Sequence, residues 1–250
     1  MDLHGPGVKI GPYTLIRTLG KGAQGCLKEG LDSRGYRVAI KVIRRVPGEK
    51  GRQIMNELQS LMSLRGKPNI VNCLTEISTN EYIYIIMDLV EGMELLKVIQ
   101  REHLIYEEKA LEILKQLMKA LSTVHESGWA HRDIKPENIL VTNSYDKDIR
   151  LVLVDFGFAT RERFPEQGMG TPGYCAPEVA SGTGPYDSHA ADIWSAGAVL
   201  YAMLLGRIPG RRVNLTAPGL SVKCIKLLTR MLNTDPDMRP TAREVLESLE

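Results

Sequence analysis

Between Tyr13 and Ile43, apolar and polar residues alternate in short runs separated by glycines and turn formers: YTLIRTL, then CLKEGL, then YRVAIKVI with Val38, Ile40 and Val42 in step. This pattern predicts three strands in a meander, with a Gly-rich corner after the first and DSRG as the turn after the second. The period then changes. From Gln53 to Leu64, Ile54, Leu58, Leu61 and Met62 recur at helical spacing, and RGKPN stops them. NIVNCLTEI and EYIYIIMDLV return to strand character as a hairpin, and EGMEL leads the chain out of the sheet. Beyond it, Leu114, Leu117, Leu121 and Val124 line one face of a long helix ending near HESG. ADIWSAGAVLYAMLL is apolar almost all round, as a fully buried helix would be, and VKCIKLLTRML and TAREVLESL supply two more helices. The expected class is α+β: a small antiparallel sheet with one main helix over residues 13–90, then a larger, mainly helical part over 91–250.

Composition narrows the partners. With 43% hydrophobic and 25% charged residues, the chain has enough apolar material for a core. Its net charge of +2 comes from 32 basic and 30 acidic residues mixed along the sequence, so no uniform field exists to hold nucleic acid or anionic lipid, and neither partner is expected. Cys26, Cys73, Cys175 and Cys224 lie far apart and form no CxxC pair, which argues against a zinc site or a disulfide scaffold and fits a reducing compartment. MDLHGPGVKIGPY has neither a basic start nor an apolar run, and no later segment approaches the roughly 18 apolar residues of a membrane span. A cytoplasmic or nuclear location follows as an expectation.

Three stretches carry chemistry. GKGAQG satisfies GxGxxG, a pattern shared by dinucleotide folds and ordinary turns, but a strand–turn–strand pattern follows it here instead of a helix. That favours a flap whose glycine backbone can bring N–H groups close to phosphate oxygens. VAIK places Lys41 inside an apolar strand, where a cation is costly unless paired; Glu57 on the following helix is the natural protein partner and a nucleotide phosphate the natural ligand. HRDIKPENIL then crowds one histidine, two bases, two acids and an amide into ten positions, far more than a turn requires.

The ordered set GKGAQG, VAIK, HRDIKPEN, DFG, APE and DIWSAG resembles the eukaryotic protein kinase family, over roughly Tyr13 to Leu249. The resemblance implies a single kinase domain over 1–250 with its N-terminal lobe at 13–90 and its C-terminal lobe at 91–250. It implies ATP and Mg2+ as cofactors, with Asp133 as the base that accepts the hydroxyl proton and Lys135 offsetting charge on the transferred group. Asn138 and Asp155 resemble the family's magnesium ligands. The nucleotide would meet Leu19, Gly20, Gly22, Gly25 and Leu27 of the flap and its flanks, Lys41 with Glu57, and Met87 at the back of the pocket. The backbone of Asp88 and Val90 would face the adenine edge, Glu94 the ribose, and Ala39 and Leu140 the two faces of the ring. His131 reads as a packed strut, Asp192 as a brace for the catalytic loop, and Arg239 as the partner of Glu178.

DIKPEN and GTPGYCAPE, with Lys135 and Thr171, are similar to the serine/threonine branch, and DFGFAT leans toward the calcium/calmodulin-dependent group. Glu94 and Glu137 match acidic positions that meet an upstream arginine of the substrate in basophilic relatives. Arg132 beside Asp133 usually marks control by a loop phosphate, yet RERFPEQGMG contains no hydroxyl, leaving Thr160, or Glu166 or Glu162 as a stand-in. The sequence departs from the pattern at Gln24, where an aromatic residue is usual, and after Gly210, where RRVNLTAPG is too short for an additional helix. Cys26 beside the flap reads as a bystander thiol or a reactive one. A compact kinase without a regulatory extension is the expectation; the alternatives are a pseudokinase scaffold and a small-molecule kinase.

Overall fold

The computed structural model describes residues 4–22, 25–142, 149–209 and 219–249. They form two compact units, Met1–Gly66 with Val71–Glu91, and Lys67–Ile70 with Gly92–Glu250. Gln24 and the segment 210–218, where the sequence departs from its pattern, lie outside the described residues.

In the first unit the alternating segments become strands β1 (Lys9–Ile10), β2 (Tyr13–Gly22), β3 (Gly25–Leu31) and β4 (Arg37–Arg44), followed by helix α1 (Gly48–Ser63) and strands β5 (Cys73–Ser78) and β6 (Tyr82–Asp88). They pair antiparallel in the order β1-β2-β3-β4-β6-β5. Ile10, Leu15, Val38, Ile40, Val42, Tyr84 and Ile86 pack on one another, with Val8 and Tyr82 against them. Burying aliphatic side chains of this size contributes roughly 1.5–3 kcal/mol each. DSRG closes as expected: Asp32 Oδ1 accepts from the N–H groups of Arg34 and Tyr36, each at 2.8 Å.

Three expectations change. β2 runs on through the glycines to Gly22, with register shifts at Leu15/Arg17 and Thr18/Gly20, because its partner β3 continues to supply pairing. Helix α1 begins at Gly48, five residues before the first residue of the apolar period; its first turn is exposed and polar, with Glu49 favourably placed near the positive end of the helix dipole. Asn69 and Ile70, read as the start of the hairpin, belong with Lys67 and Pro68 to the second unit. Asn69, at φ 61°, donates its amide to Gln116 Oε1 (3.2 Å) and Leu151 O (3.0 Å), and its own carbonyl accepts from Leu153 N (2.8 Å).

The second unit holds β7 (Met93–Glu94), α2 (Leu95–Glu102), α3 (Glu107–Glu126), β8 (Ile139–Thr142), β9 (Arg150–Leu153), α4 (Pro177–Ser181), α5 (Ser188–Leu205), α6 (Val222–Met231) and α7 (Ala242–Leu249). β7, β8 and β9 form a three-stranded sheet. Sequence reading passed over α2, a short helix that buries Leu95, Val98 and Ile99. Helix α5 is buried along nearly its whole length, as its composition predicts. Asp187 caps its first turn by accepting from His189 N (2.9 Å) and Ala190 N (3.0 Å), and Gly206 ends it at φ 64°. At Gly197 a Cβ would sit 3.0 Å from both Met231 Cβ and Leu232 Cδ2, so glycine is what lets these segments approach. Among the described residues, no helix is long and apolar enough to cross a membrane.

Candidate active site

The decapeptide that opens at His131 folds as a loop and a short 3-10 turn, Pro136–Asn138, leading into β8. Its position is fixed from below. Asp192, fully buried in α5, accepts from His131 N through Oδ2 and from Arg132 N through Oδ1, both at 2.8 Å, and His125 Nε2 lies 3.0 Å from Oδ2. Burial pushes the Asp192 carboxyl up, but the His125 contact and the charge and backbone N–H of His131 outweigh it and hold the carboxyl below its ordinary value. His131 is itself buried, edge-on to Phe156 at 4.7 Å between ring centres, with Nε2 3.1 Å from Val154 O. It is a strut, and its Nδ1 accepts from Asp133 N at 3.3 Å. Arg132 and Asp155 both have φ in the left-handed region, at 66° and 60°. Strain of this kind persists only where the surroundings over-determine it, and it gathers at functional sites.

On this frame Asp133, 5% exposed, is held by three side chains. Asn138 Nδ2 donates to its Oδ2 (3.0 Å) and to its backbone O (2.9 Å). Lys135 Nζ lies 2.8 Å from Oδ2, and Thr171 Oγ1 donates to Oδ1 (2.7 Å) while accepting from Lys135 Nζ (2.8 Å). A carboxylate offers about four acceptor positions, so one remains unused. Sequence reading gave Thr171 a role in acceptor class only; the structure makes it the bridge between Asp133 and Lys135. Its place in GTPGY was the available signal.

Asn138 and Asp155 are brought together through the backbone: Val154 N donates to Asn138 O at 3.0 Å, and Asp155 follows directly, exposed, with Oδ1 3.4 Å from Gly157 N. Because Asn138 spends its amide nitrogen on Asp133, its amide oxygen is the atom not used in that contact. One amide oxygen beside one carboxylate is a hard donor pair that fits magnesium. Among the described residues, no group of three or more His, Cys, Asp or Glu side chains could hold a metal ion.

Residues 13–249 match the protein kinase domain. The chain belongs to the protein kinase family. It is 33% identical to sperm motility kinase 2B of Mus musculus over 94% of its own length and 50% of that protein. It is 34% identical to CBL-interacting serine/threonine-protein kinase 3 of Arabidopsis thaliana over 96% of its length and 58% of the relative. Against serine/threonine-protein kinase KIN4 of Saccharomyces cerevisiae it is 36% identical over 80% of the chain and 26% of the relative. The chain thus spans about half the length of these kinases, or less.

The remaining kinase positions fall as follows. In the first unit, Lys41 ion-pairs with Glu57, their side chains 15% and 2% exposed, which resolves the cost of a cation in an apolar strand. Gly22 faces Gly25 and Gly20 faces Leu27 across the β2–β3 hairpin. A Cβ on Gly25, at φ 158°, would lie 2.2 Å from Val42 O, whereas Gly20 and Gly22 have nothing within 4 Å of theirs and leave open backbone. Leu19 is 36% exposed, Leu27 half-buried, and Ala39 pairs directly with Met87 across β4 and β6. Asp88 spends its N–H on Asn72 O (3.0 Å), leaving its carbonyl as the group to consider for a ligand; Val90 is half-buried. In the second unit, Glu94 faces Leu140 across β7 and β8, and its Oε1 accepts from Lys97 Nζ (2.9 Å). Cys26, half-buried, donates to Gly20 O at 3.4 Å.

Arg239 holds Glu178 with two hydrogen bonds of 2.7 and 2.8 Å, and its Nε and Nη1 reach Asn233 O (2.8 Å) and Ala190 O (3.1 Å). Neither stand-in for a loop phosphate reaches Arg132. Glu162 and Glu166 are exposed and form no ion pair among the described residues, and Arg132 Nε donates to Phe158 O at 2.7 Å. Thr160 is buried and pairs with Ala130 through both backbone groups, so its hydroxyl is not presented for modification. The reason is local: the loop's own backbone partners consume these positions first.

Proposed function

We propose that the chain is a serine/threonine protein kinase that transfers the γ-phosphate of ATP to hydroxyls of protein substrates. The observation that carries this reading is the Asp133 carboxylate, buried, braced through Asp192, and bound by Asn138, Lys135 and Thr171 with one acceptor position to spare. Asp133 receives the proton of the attacking hydroxyl and aims its oxygen, which in a loose phosphoryl-transfer transition state is mainly a matter of position. Lys135, 2.8 Å from that carboxylate, offsets negative charge on the group being transferred. In the first unit, the absence of side chains at Gly20 and Gly22 leaves room for phosphate to approach the backbone, and Lys41, oriented by Glu57, adds a cation. Asn138 and Asp155 would hold magnesium, which supplies charge neutralisation at the phosphates. In the first unit Ala39 and Met87 would supply apolar surface suited to a purine, with Asp88 and Val90 following them in the chain; Leu140 and Glu94 are the second unit's own candidates for the nucleotide.

Substrates are basic upstream of the target. Glu137 Oε2 is buried without a hydrogen-bond partner, a carboxylate left wanting a cation, and burial together with the Glu137 charge pushes the neighbouring Tyr174 hydroxyl up to about 12. Four free cysteines support a reducing compartment, cytoplasmic or nuclear. The test offers labelled ATP with magnesium to basic peptides, to small alcohols and to no acceptor. Label on peptide serine or threonine, lost with Asp133→Asn and on chelation, supports the reading; Asp133→Asn acting as fast as the unaltered protein refutes it.

A further inference from the structure

The segment after Asp155 lacks a hydroxyl from residue 161 to 170 but contains two arginines, and both are engaged. Arg161 lies over the indole of buried Trp129, its guanidinium carbon 4.5 Å from the ring centre. Arg163 Nη2 donates to Asp187 Oδ2 at 2.6 Å, and its Nη1 meets His189 Nδ1. The backbone follows the side chains. Ser188, fully buried, donates its hydroxyl to Glu162 O (3.0 Å) and Arg163 O (3.1 Å), and its N–H to Arg163 O (2.9 Å). Tyr186 N donates to Pro165 O at 3.3 Å, and Glu162 N to Thr160 Oγ1 at 3.1 Å. The carbonyls of residues 162, 163 and 165 are thus all spent on the stretch that leads into α5, the helix whose Asp192 holds the catalytic loop.

We propose that Arg161 and Arg163, with Asp187, Ser188, His189 and Trp129, form a latch that orders this segment without a phosphate, Arg163 acting as a positioning residue for Gly170–Pro177, the GTPGYCAP stretch on which a peptide would lie. The proposal rests on the kinase reading above but is tied to its own observable. A phosphate orders a loop by charge-assisted hydrogen bonds to arginine. Here the direction is reversed: the loop supplies the arginine and α5 supplies the anion. Asp187 serves twice, capping the helix with Oδ1 and holding Arg163 with Oδ2. A neutral His189 can accept from Arg163, and its low proton affinity, from burial and the neighbouring His125 and Arg163, favours that form. The charged and titratable groups around it are His125, stacked on it at 4.1 Å, with Arg163, Asp187 and Asp192.

The test uses phosphatase-treated full chain, confirmed free of phosphate by mass spectrometry, and reads amide hydrogen exchange at Tyr186 and Ser188, whose N–H groups end on the loop carbonyls. Arg163→Ala should speed exchange there about tenfold or more, the ratio one charge-assisted hydrogen bond supports. It should lower kcat/KM for peptide by a similar factor while leaving the KM for ATP unchanged, a split that general destabilisation would not produce. Arg163→Lys should recover part of both effects. Asp187→Asn, which keeps the capping oxygen and loses the charge, should reproduce Arg163→Ala. Unchanged exchange in both Arg163→Ala and Asp187→Asn overturns the latch, as does rapid exchange in the phosphate-free unaltered protein. Absence of peptide phosphorylation by the unaltered protein would instead overturn the kinase reading, with the exchange result still deciding the latch.

Discussion

Replacing Thr171 by valine isolates the bridge between base and lysine. Valine keeps the size and branching of threonine but can neither donate to Asp133 Oδ1, now 2.7 Å away, nor accept from Lys135 Nζ at 2.8 Å. Asp133 is 5% exposed, so water replaces the lost donor poorly, and a hydrogen bond to a charged group at such a site is worth about 1.5–3 kcal/mol. If that energy holds the carboxylate in its reactive position, kcat falls about 10- to 150-fold, each 1.36 kcal/mol being tenfold. The KM for ATP should not move. Steady-state phosphorylation of a basic peptide gives both constants, and a thermal melt places the assay well below the unfolding transition. Thr171→Ser, which keeps the hydroxyl, should recover most of the rate. A valine variant with unaltered kcat, or a serine variant as slow as the valine one, would show that the bridge positions nothing.

Arg239→Ala removes a side chain that is wholly buried and leaves Glu178, Asn233 O and Ala190 O without their donor; we expect a loss of about 3–5 kcal/mol in urea-unfolding free energy, read from the denaturation midpoint. Glu137→Gln should raise the KM of a peptide with an upstream arginine by about tenfold, the value of one charge-assisted contact, and leave a peptide without that arginine unaffected; paired peptide kinetics decide it. Burial, followed by His125 and Arg163, lowers the pKa of His189 from its ordinary 6.5 to about 4. Between those values the unfolded chain binds the proton more readily, so the contribution of His189 is complete above 6.5 and is lost as pH falls toward 4. The gap in unfolding free energy between the unaltered protein and His189→Gln should therefore shift against the unaltered protein between pH 7.5 and pH 5; equal pH dependence of the two would contradict the assignment.

Period was enough to foresee the strands over residues 13–43 and the buried α5, and the motifs singled out Lys41, Asp133, Lys135, Asn138 and Asp155 as the candidates for chemistry. Each of these is a local statement. Alternation puts one face of a strand in the core, an all-apolar helix must be buried, and an unusual density of charge in an apolar context calls for a partner nearby in the chain. Lys41 and Glu57 illustrate the reach of such reasoning: sixteen positions apart, one on a strand and one on the next helix, they were paired on cost alone, and they meet.

What the sequence by itself determined, then, is the character of the strongly periodic segments and which residue types can do phosphoryl chemistry; α2 and the bounds of α1 and β2 were not among them. Tertiary structure decided who holds whom. Asn69 and Ile70 left the hairpin because Asn69 found Gln116 and Leu151, partners 47 and 82 positions away. Thr171 became part of the site because a loop 38 residues on returns to Asp133, and no pattern within either segment encodes that return. Charge content suggested a glutamate to replace the missing loop phosphate, yet Glu166 stays in solvent while Arg163 finds Asp187. Spacing reports preferences of short stretches; the energy that selects among several available partners comes from burial and geometry, which exist only once distant stretches have packed.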